Sequence, residues 1–143
     1  ATRVDGLDFG VGYGETDVKD GTTTSSDIET VIGYANYTMG SVTVGYTQGE
    51  QSGGAAGHDM HQMEAMGIAF NVNENLSVSY NNHEVTYAKT SGNTDQSSDK
   101  DGIAIAYSMG GASVKIQNNT TDGSSTATTY QEDRTEVNLS LAF

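Results

Sequence analysis

The sequence predicts an all-β chain, an antiparallel up-and-down meander of about eight strands, and three observations lead there. Apolar and polar residues alternate with a period of two along most of the 143 residues, and no stripe recurs at helical spacing. Very short connections alternate with long polar ones without exception, as in a chain that turns tightly at one end of a sheet and makes excursions at the other. Apolar residues make up only 34% of the chain, so either it builds a poor central core or they serve somewhere other than a core, while eight Tyr and three Phe in ordered alternation argue against disorder.

The first element sets Leu7, Phe9, Val11 and Tyr13 against Asp8, Gly10, Gly12 and Gly14, after an opening that reads as a tight turn. Ile28 to Met39 is extended in composition but ambiguous in phase. Val42, Val44 and Tyr46 then alternate with Thr43 and Gly45, His61 to Phe70 is again extended without a clear phase, and Leu76, Val78 and Tyr80 alternate with Ser77 and Ser79. Ile103, Ile105, Tyr107 and Met109 precede a strand with Val114 and Ile116 on one side and Lys115 and Gln117 on the other. The last element, RTEVNLSLAF, alternates perfectly to Phe143. The tight connections are MGS, NVNEN and MGGA; the long ones are ETDVKDGTTTSSD, QGEQSGGAAGHDMH, KTSGNTDQSSDKD and NNTTDGSSTATTYQED. YTMGSVTVGYTQ (37–48) and YSMGGASVKIQN (107–118) form a weak repeat of the tight hairpin.

Such a meander fits two environments. In a water-soluble sandwich or barrel the apolar face points to a core, and in a transmembrane β-barrel it meets lipid while polar and small residues line the interior. Three features favour the transmembrane barrel. Tyr37, Phe70, Tyr107 and Phe143 all close descending segments, as an aromatic girdle at one interface requires. Charges at Lys115, Arg134 and Glu136 suit a wet interior and not a dry core. No Pro blunts a strand, and barrel closure removes the edges that would need it. The soluble alternative, a β domain that binds a partner through its acidic loops, stays open at this stage.

Composition narrows the function classes. The net charge of −13 leaves no cationic face for nucleic acid, and the absence of Cys removes disulfide and thiol chemistry. No GxSxG, no phosphate-cradling loop and no nucleophile with a base is present, so an enzyme is not expected. His58 and His61 are three apart in a Gly-rich stretch, which reads better as two ordinary histidines than as metal ligands. No cofactor is expected; calcium is the one ion the acidic loops could attract, through Asp17, Asp20, Asp95, Asp99, Asp122, Glu132 and Asp133, although no EF-hand spacing is present. The sequons at Asn118 and Asn119 carry no meaning without a glycosylating host.

With the apolar row toward lipid, the channel-lining row carries Asp8, Lys115, Gln117, Arg134, Glu136 and Asn138. Small residues at positions 10, 12, 45, 67, 104 and 106 would leave voids in an eight-stranded barrel, which favours a wider one.

The runs YTMGSVTVGYTQGEQ, HQMEAMGIAFNVNENLSVSYNNHE, DGIAIAYSMGGASVKIQNN and DRTEVNLSLAF, in that order, resemble the second half of the alphaproteobacterial general porins of the Rhodobacter type. The likeness covers nearly the whole chain, so residues 1–143 read as the C-terminal portion of such a barrel, a single domain. The resemblance implies a homotrimer of sixteen-stranded, water-filled barrels in the bacterial outer membrane that pass small hydrophilic solutes and ions by diffusion. It implies that Phe143 is part of the signal by which barrel-assembly machinery recognises the C-terminal strand. It also implies that Lys115 and Arg134, the two positions that fit by phase and charge, belong to a basic wall facing an acidic constriction; the competing reading makes them ordinary wet lumen residues. A complete eight-stranded structural or adhesion barrel is the remaining alternative.

Overall fold

The computed structural model describes residues 4–17, 26–54, 60–88, 95–124 and 129–141. Eight strands follow one another: β1 (Leu7–Thr16), β2 (Ser26–Met39), β3 (Val42–Gly54), β4 (Met60–Asn71), β5 (Leu76–Ala88), β6 (Gln96–Met109), β7 (Ala112–Ser124) and β8 (Thr129–Leu141). They form one antiparallel sheet in sequence order, each strand bonded to the next, and there is no helix among the described residues. β1 and β8 are the two edges and each pairs on one side only.

The tight turns lie at one end of the sheet, as the connection rhythm predicts. β2 passes to β3 through Gly40 and Ser41, and β6 to β7 through Gly110 and Gly111. Gly40 (φ 60°) and Gly110 (φ 57°) stand first in their two-residue turns, the position where a type II′ hairpin demands positive φ. The repeat noted in the sequence is therefore one hairpin built twice, with Thr38 opposite Thr43 in one copy and Ser108 opposite Ser113 in the other. Between β4 and β5 the Asn73 side-chain oxygen accepts from the backbone N–H of Asn75 (2.9 Å) and of Leu76 (3.0 Å), so the asparagine replaces a backbone acceptor in closing the turn. A further turn, with Leu7 N–H donating to the Val4 carbonyl at 3.3 Å, leads into β1 at the same end.

At the other end the strands run well past their apolar residues. Much of the chain expected as long polar loops is strand: β3 continues to Gly54, β6 begins at Gln96, β7 reaches Ser124 and β8 starts at Thr129. The ladder of backbone hydrogen bonds is indifferent to side-chain polarity, so hairpins extend where both faces are polar.

Directly opposed residues in an antiparallel ladder share a face, and the register sorts every strand. Leu7, Tyr37, Val44, Ile68, Tyr80 and Ile103 are successive partners on one face, and Asp8, Asn36, Gly45, Gly67, Asn81, Gly102, Asn119 and Arg134 on the other. The sheet is a single layer, and no apolar side chain is buried among the described residues. The small-residue face is the more shielded one: along β3, Thr43, Gly45, Thr47 and Gly49 are half-buried or buried, whereas Val44, Tyr46, Gln48 and Glu50 are exposed. A soluble β domain has the opposite distribution, with its apolar row covered by a second layer.

Candidate channel face and its apolar counterpart

The register brings all six sequence-predicted lining residues onto the small-residue face. Five of them form one group on β7 and β8: Lys115 lies opposite Asn138, and Gln117 opposite Glu136. The Gln117 amide donates to the Glu136 carboxylate, which also pairs with the Arg134 guanidinium at 2.5 Å. Asp8, on β1, is at the far edge of the sheet and joins none of them.

One cation on this face escaped the sequence reading. Lys100 falls in a stretch expected as a loop, but it sits on β6 between His83 and Thr121 on the same face as Lys115 and Arg134. Among the described residues all three Lys and Arg therefore share the small-residue face. That face is kept shallow by pairing bulky side chains with glycines. The Tyr34 ring lies over Gly10, the Tyr130 ring over Gly123 and the Asn36 amide over Gly45, while Asn81 and Asn119 converge on Gly102 from both sides.

The opposite face carries an apolar band at the tight-turn end. On β3, β4, β7 and β8 it is three side chains deep, as in Val42, Val44 and Tyr46, or Val137, Leu139 and Leu141. Tyr37, Phe70 and Tyr107 stand on this face near the tight turns, and Phe143 lies outside the described residues. A second aromatic set was missed. Tyr13, Tyr46 and Tyr80 close the band on its other border, each followed two residues on, on the same face, by Glu15, Gln48 or Asn82. That change from Tyr to an acid or amide at the end of an alternation was the signal available in the sequence. The phenol ends meet carboxylates: Tyr80 donates to Asp101, and Tyr13 to Glu15 at 3.4 Å.

Beyond this border the apolar face becomes acidic. Glu64, Glu84, Asp99 and Asp122 are successive register partners on four adjacent strands, and Glu15 lies opposite Glu29. Like charges set directly opposite repel, and part of the cost is met by donors: the Asn82 amide reaches Asp99 (2.7 Å) and Asp101 (3.2 Å), and the Thr120 hydroxyl reaches Asp133 (2.7 Å).

Of the acids expected in calcium-attracting loops, Asp99, Asp122, Glu132 and Asp133 are strand residues, the last two on opposite faces. Asp95 immediately precedes β6, and Asp20 lies outside the described residues. Asp17 groups with Glu15 and Asp27, carboxylate oxygens within 4.8 Å of one another and all three residues exposed. His61 packs edge-on against Tyr87, its register partner, with ring centroids 4.6 Å apart, and His58 lies outside the described residues.

No protein-family model, curated protein or solved structure matches this chain. The functional reading rests on the two faces themselves.

Proposed function

We propose that this chain forms part of the wall of a passive diffusion channel in a bacterial outer membrane. In this reading the apolar face meets lipid between two borders of aromatic side chains, and the small-residue face lines water. The observation that carries it is the inverted exposure of a single-layer sheet: the apolar row is the open face, and the cations stand on the shielded one. Lipid supplies the apolar cover that no second layer supplies here. The unpaired edges of β1 and β8 would be satisfied by closure into a barrel, which the resemblance to general porins would make sixteen-stranded and trimeric. A barrel of that size leaves an aqueous lumen, whereas eight strands are filled by their own side chains. Lys100, Lys115, Arg134 and Glu136 would then bias which ions pass, and transport would need no cofactor and no chemistry.

The test is a planar lipid bilayer. Discrete conductance steps after addition of the detergent-solubilised protein are the expected result. A protein that stays in the aqueous phase on detergent partitioning, or that enters the bilayer without conductance, would overturn the channel.

A further inference from the structure

One stretch of the small-residue face is neither small nor polar. Ile32 of β2, Met63 of β4 and Val85 of β5 lie in one row of register partners, with Gly49 of β3 between the first two. The glycine lets them meet: a Cβ built there would stand 3.3 Å from Met63 Cε and 3.6 Å from Ile32 Cγ1, so both side chains lean over the gap. Ile32 is 39% exposed, and Met63 and Val85 are half-buried. The His61 and Tyr87 rings, in edge contact, bound the patch on the side away from the tight turns. One row nearer the tight turns, about 7 Å along the strands, His83 and Lys100 stand opposite each other; His83 is two residues from Val85 on β5, and Lys100 is its diagonal neighbour. Glu132, the acid in the row of Lys100, is two strands further on, about 10 Å away.

We infer that this patch is a subsite on the channel wall for an organic carboxylate with a compact apolar body, the body resting on Ile32, Met63 and Val85 and the carboxylate meeting Lys100 and His83. The inference rests on the reading of this face as the lining of a water-filled channel. Apolar side chains left against water are unfavourable, and covering them removes that cost. Charge complementarity then selects the occupant. A wholly apolar solute makes no use of Lys100, and a small inorganic anion leaves the patch wet, whereas a molecule carrying both parts about one row apart satisfies both at once. The Lys100 ammonium supplies charge and three N–H donors, and His83 supplies an N–H in either protonation state. Each contact is made on one side only, so the site holds the solute briefly and lets it leave, as passage through a channel requires.

The test is current blockade, with 3-phenylpropionate as the probe added to the full chain in a planar bilayer. Brief closures that grow more frequent with its concentration are the expected result. At equal concentration acetate, which has the charge without the ring, and 3-phenylpropanol, which has the ring without the charge, should each give at most about a fifth of the blocked time. The double variant Met63→Ser, Val85→Ser should weaken the block about tenfold, the order expected when two partly covered apolar side chains are lost. Lys100→Gln should weaken it about threefold, and Met63→Leu, which keeps the apolar volume, should retain it. Discrete conductance steps in each variant show that the channel has folded, so a lost block is not a lost fold. Equal block by acetate or by 3-phenylpropanol, or an unchanged block in the double variant, overturns the inference while leaving the channel intact. So does a conducting protein that 3-phenylpropionate does not touch, the outcome expected if another part of the chain or a second copy covers the patch. Absence of conductance from the unaltered protein overturns both.

Discussion

Ile116→Arg separates the membrane reading from a soluble one. Ile116 occupies the middle of an apolar row, Val78, Ile105, Ile116 and Val137, each the register partner of the next, and is 48% exposed. Transfer of a whole isoleucine side chain out of water is worth about 1.5–3 kcal/mol, so its exposed half contributes about 1 kcal/mol if lipid covers it. Ile116 is the last apolar residue of the band along β7, before Asn118, so a cationic side chain there adds about 1–3 kcal/mol, between the interfacial and midplane costs. The sum, about 2–4 kcal/mol, lowers the folding equilibrium by roughly one and a half to three orders of magnitude. Gln117→Arg is the matched control, one residue along the same strand on the opposite face, where it retains an attractive partner in Glu136. It should fall within about 1 kcal/mol of the unaltered protein. The assay is guanidinium unfolding in lipid vesicles, with folded protein scored by its altered mobility on an unheated gel. If water covers this face, Ile116→Arg is an ordinary surface change of about 0.5 kcal/mol or less. That result, or equal damage from both variants, would refute the reasoning.

Three further outcomes follow from the same geometry. The band spans about 14 Å of strand from Val42 to Tyr46 and about 20 Å from Leu7 to Tyr13, short of the roughly 25 Å of a typical outer-membrane barrel, so folding yield in vesicles should be higher in dilauroyl than in dioleoyl lipid. Glu84→Gln removes the second member of the Glu64, Glu84, Asp99, Asp122 ladder, which has an acid opposite it on both sides. It should raise stability by about 0.5–1 kcal/mol at low salt, and denaturant titration in 1 M salt, where the screening length falls to about 3 Å, should show most of that gain gone. Replacing Lys100, Lys115 and Arg134 together by Gln should shift the reversal potential of the proposed channel toward cation selectivity in a salt gradient, and an unchanged potential would refute their placement in a lumen.

The fold was legible where one face is apolar and the other is not. Contrast is what makes a period-two signal visible, and Val42 to Tyr46 or Val137 to Leu141 supply it. From Gln48 to Gly54, Gln96 to Asp101, Asn118 to Ser124 and Thr129 to Arg134 both faces are polar, so the alternation persists in the backbone but disappears from the hydropathy. That is why Lys100 went unassigned and why Asp99, Asp122 and Asp133 read as loop acids. The phase of β2 was hidden for a different reason. Ile32 and Tyr34 place large side chains on the small-residue face, and the pairing of Tyr37 with Leu7 on one side and with Val44 across the Gly40-Ser41 turn on the other fixes which way the strand points.

Large residues on the small-residue face bear on the proposed channel. Tyr34 and Tyr130 stand opposite Gly10 and Gly123, and a Cβ built on Gly10 would meet the Tyr34 ring at 2.6 Å, so each ring lies across the neighbouring strand where a larger residue would lift it away. Asn81 and Asn119 flank Gly102 in the same manner, with a Cβ there meeting both amide oxygens at 2.7 Å. Small residues along this face do two jobs: they avoid filling the space in front of the sheet, and they let the bulky polar residues lie flat against it. In a water-filled barrel, side chains laid along the wall obstruct less of the bore than side chains standing out from it. If this sheet forms the wall of the proposed channel, Gly10, Gly102 and Gly123 would set the width of the passage as much as the charged residues set its selectivity.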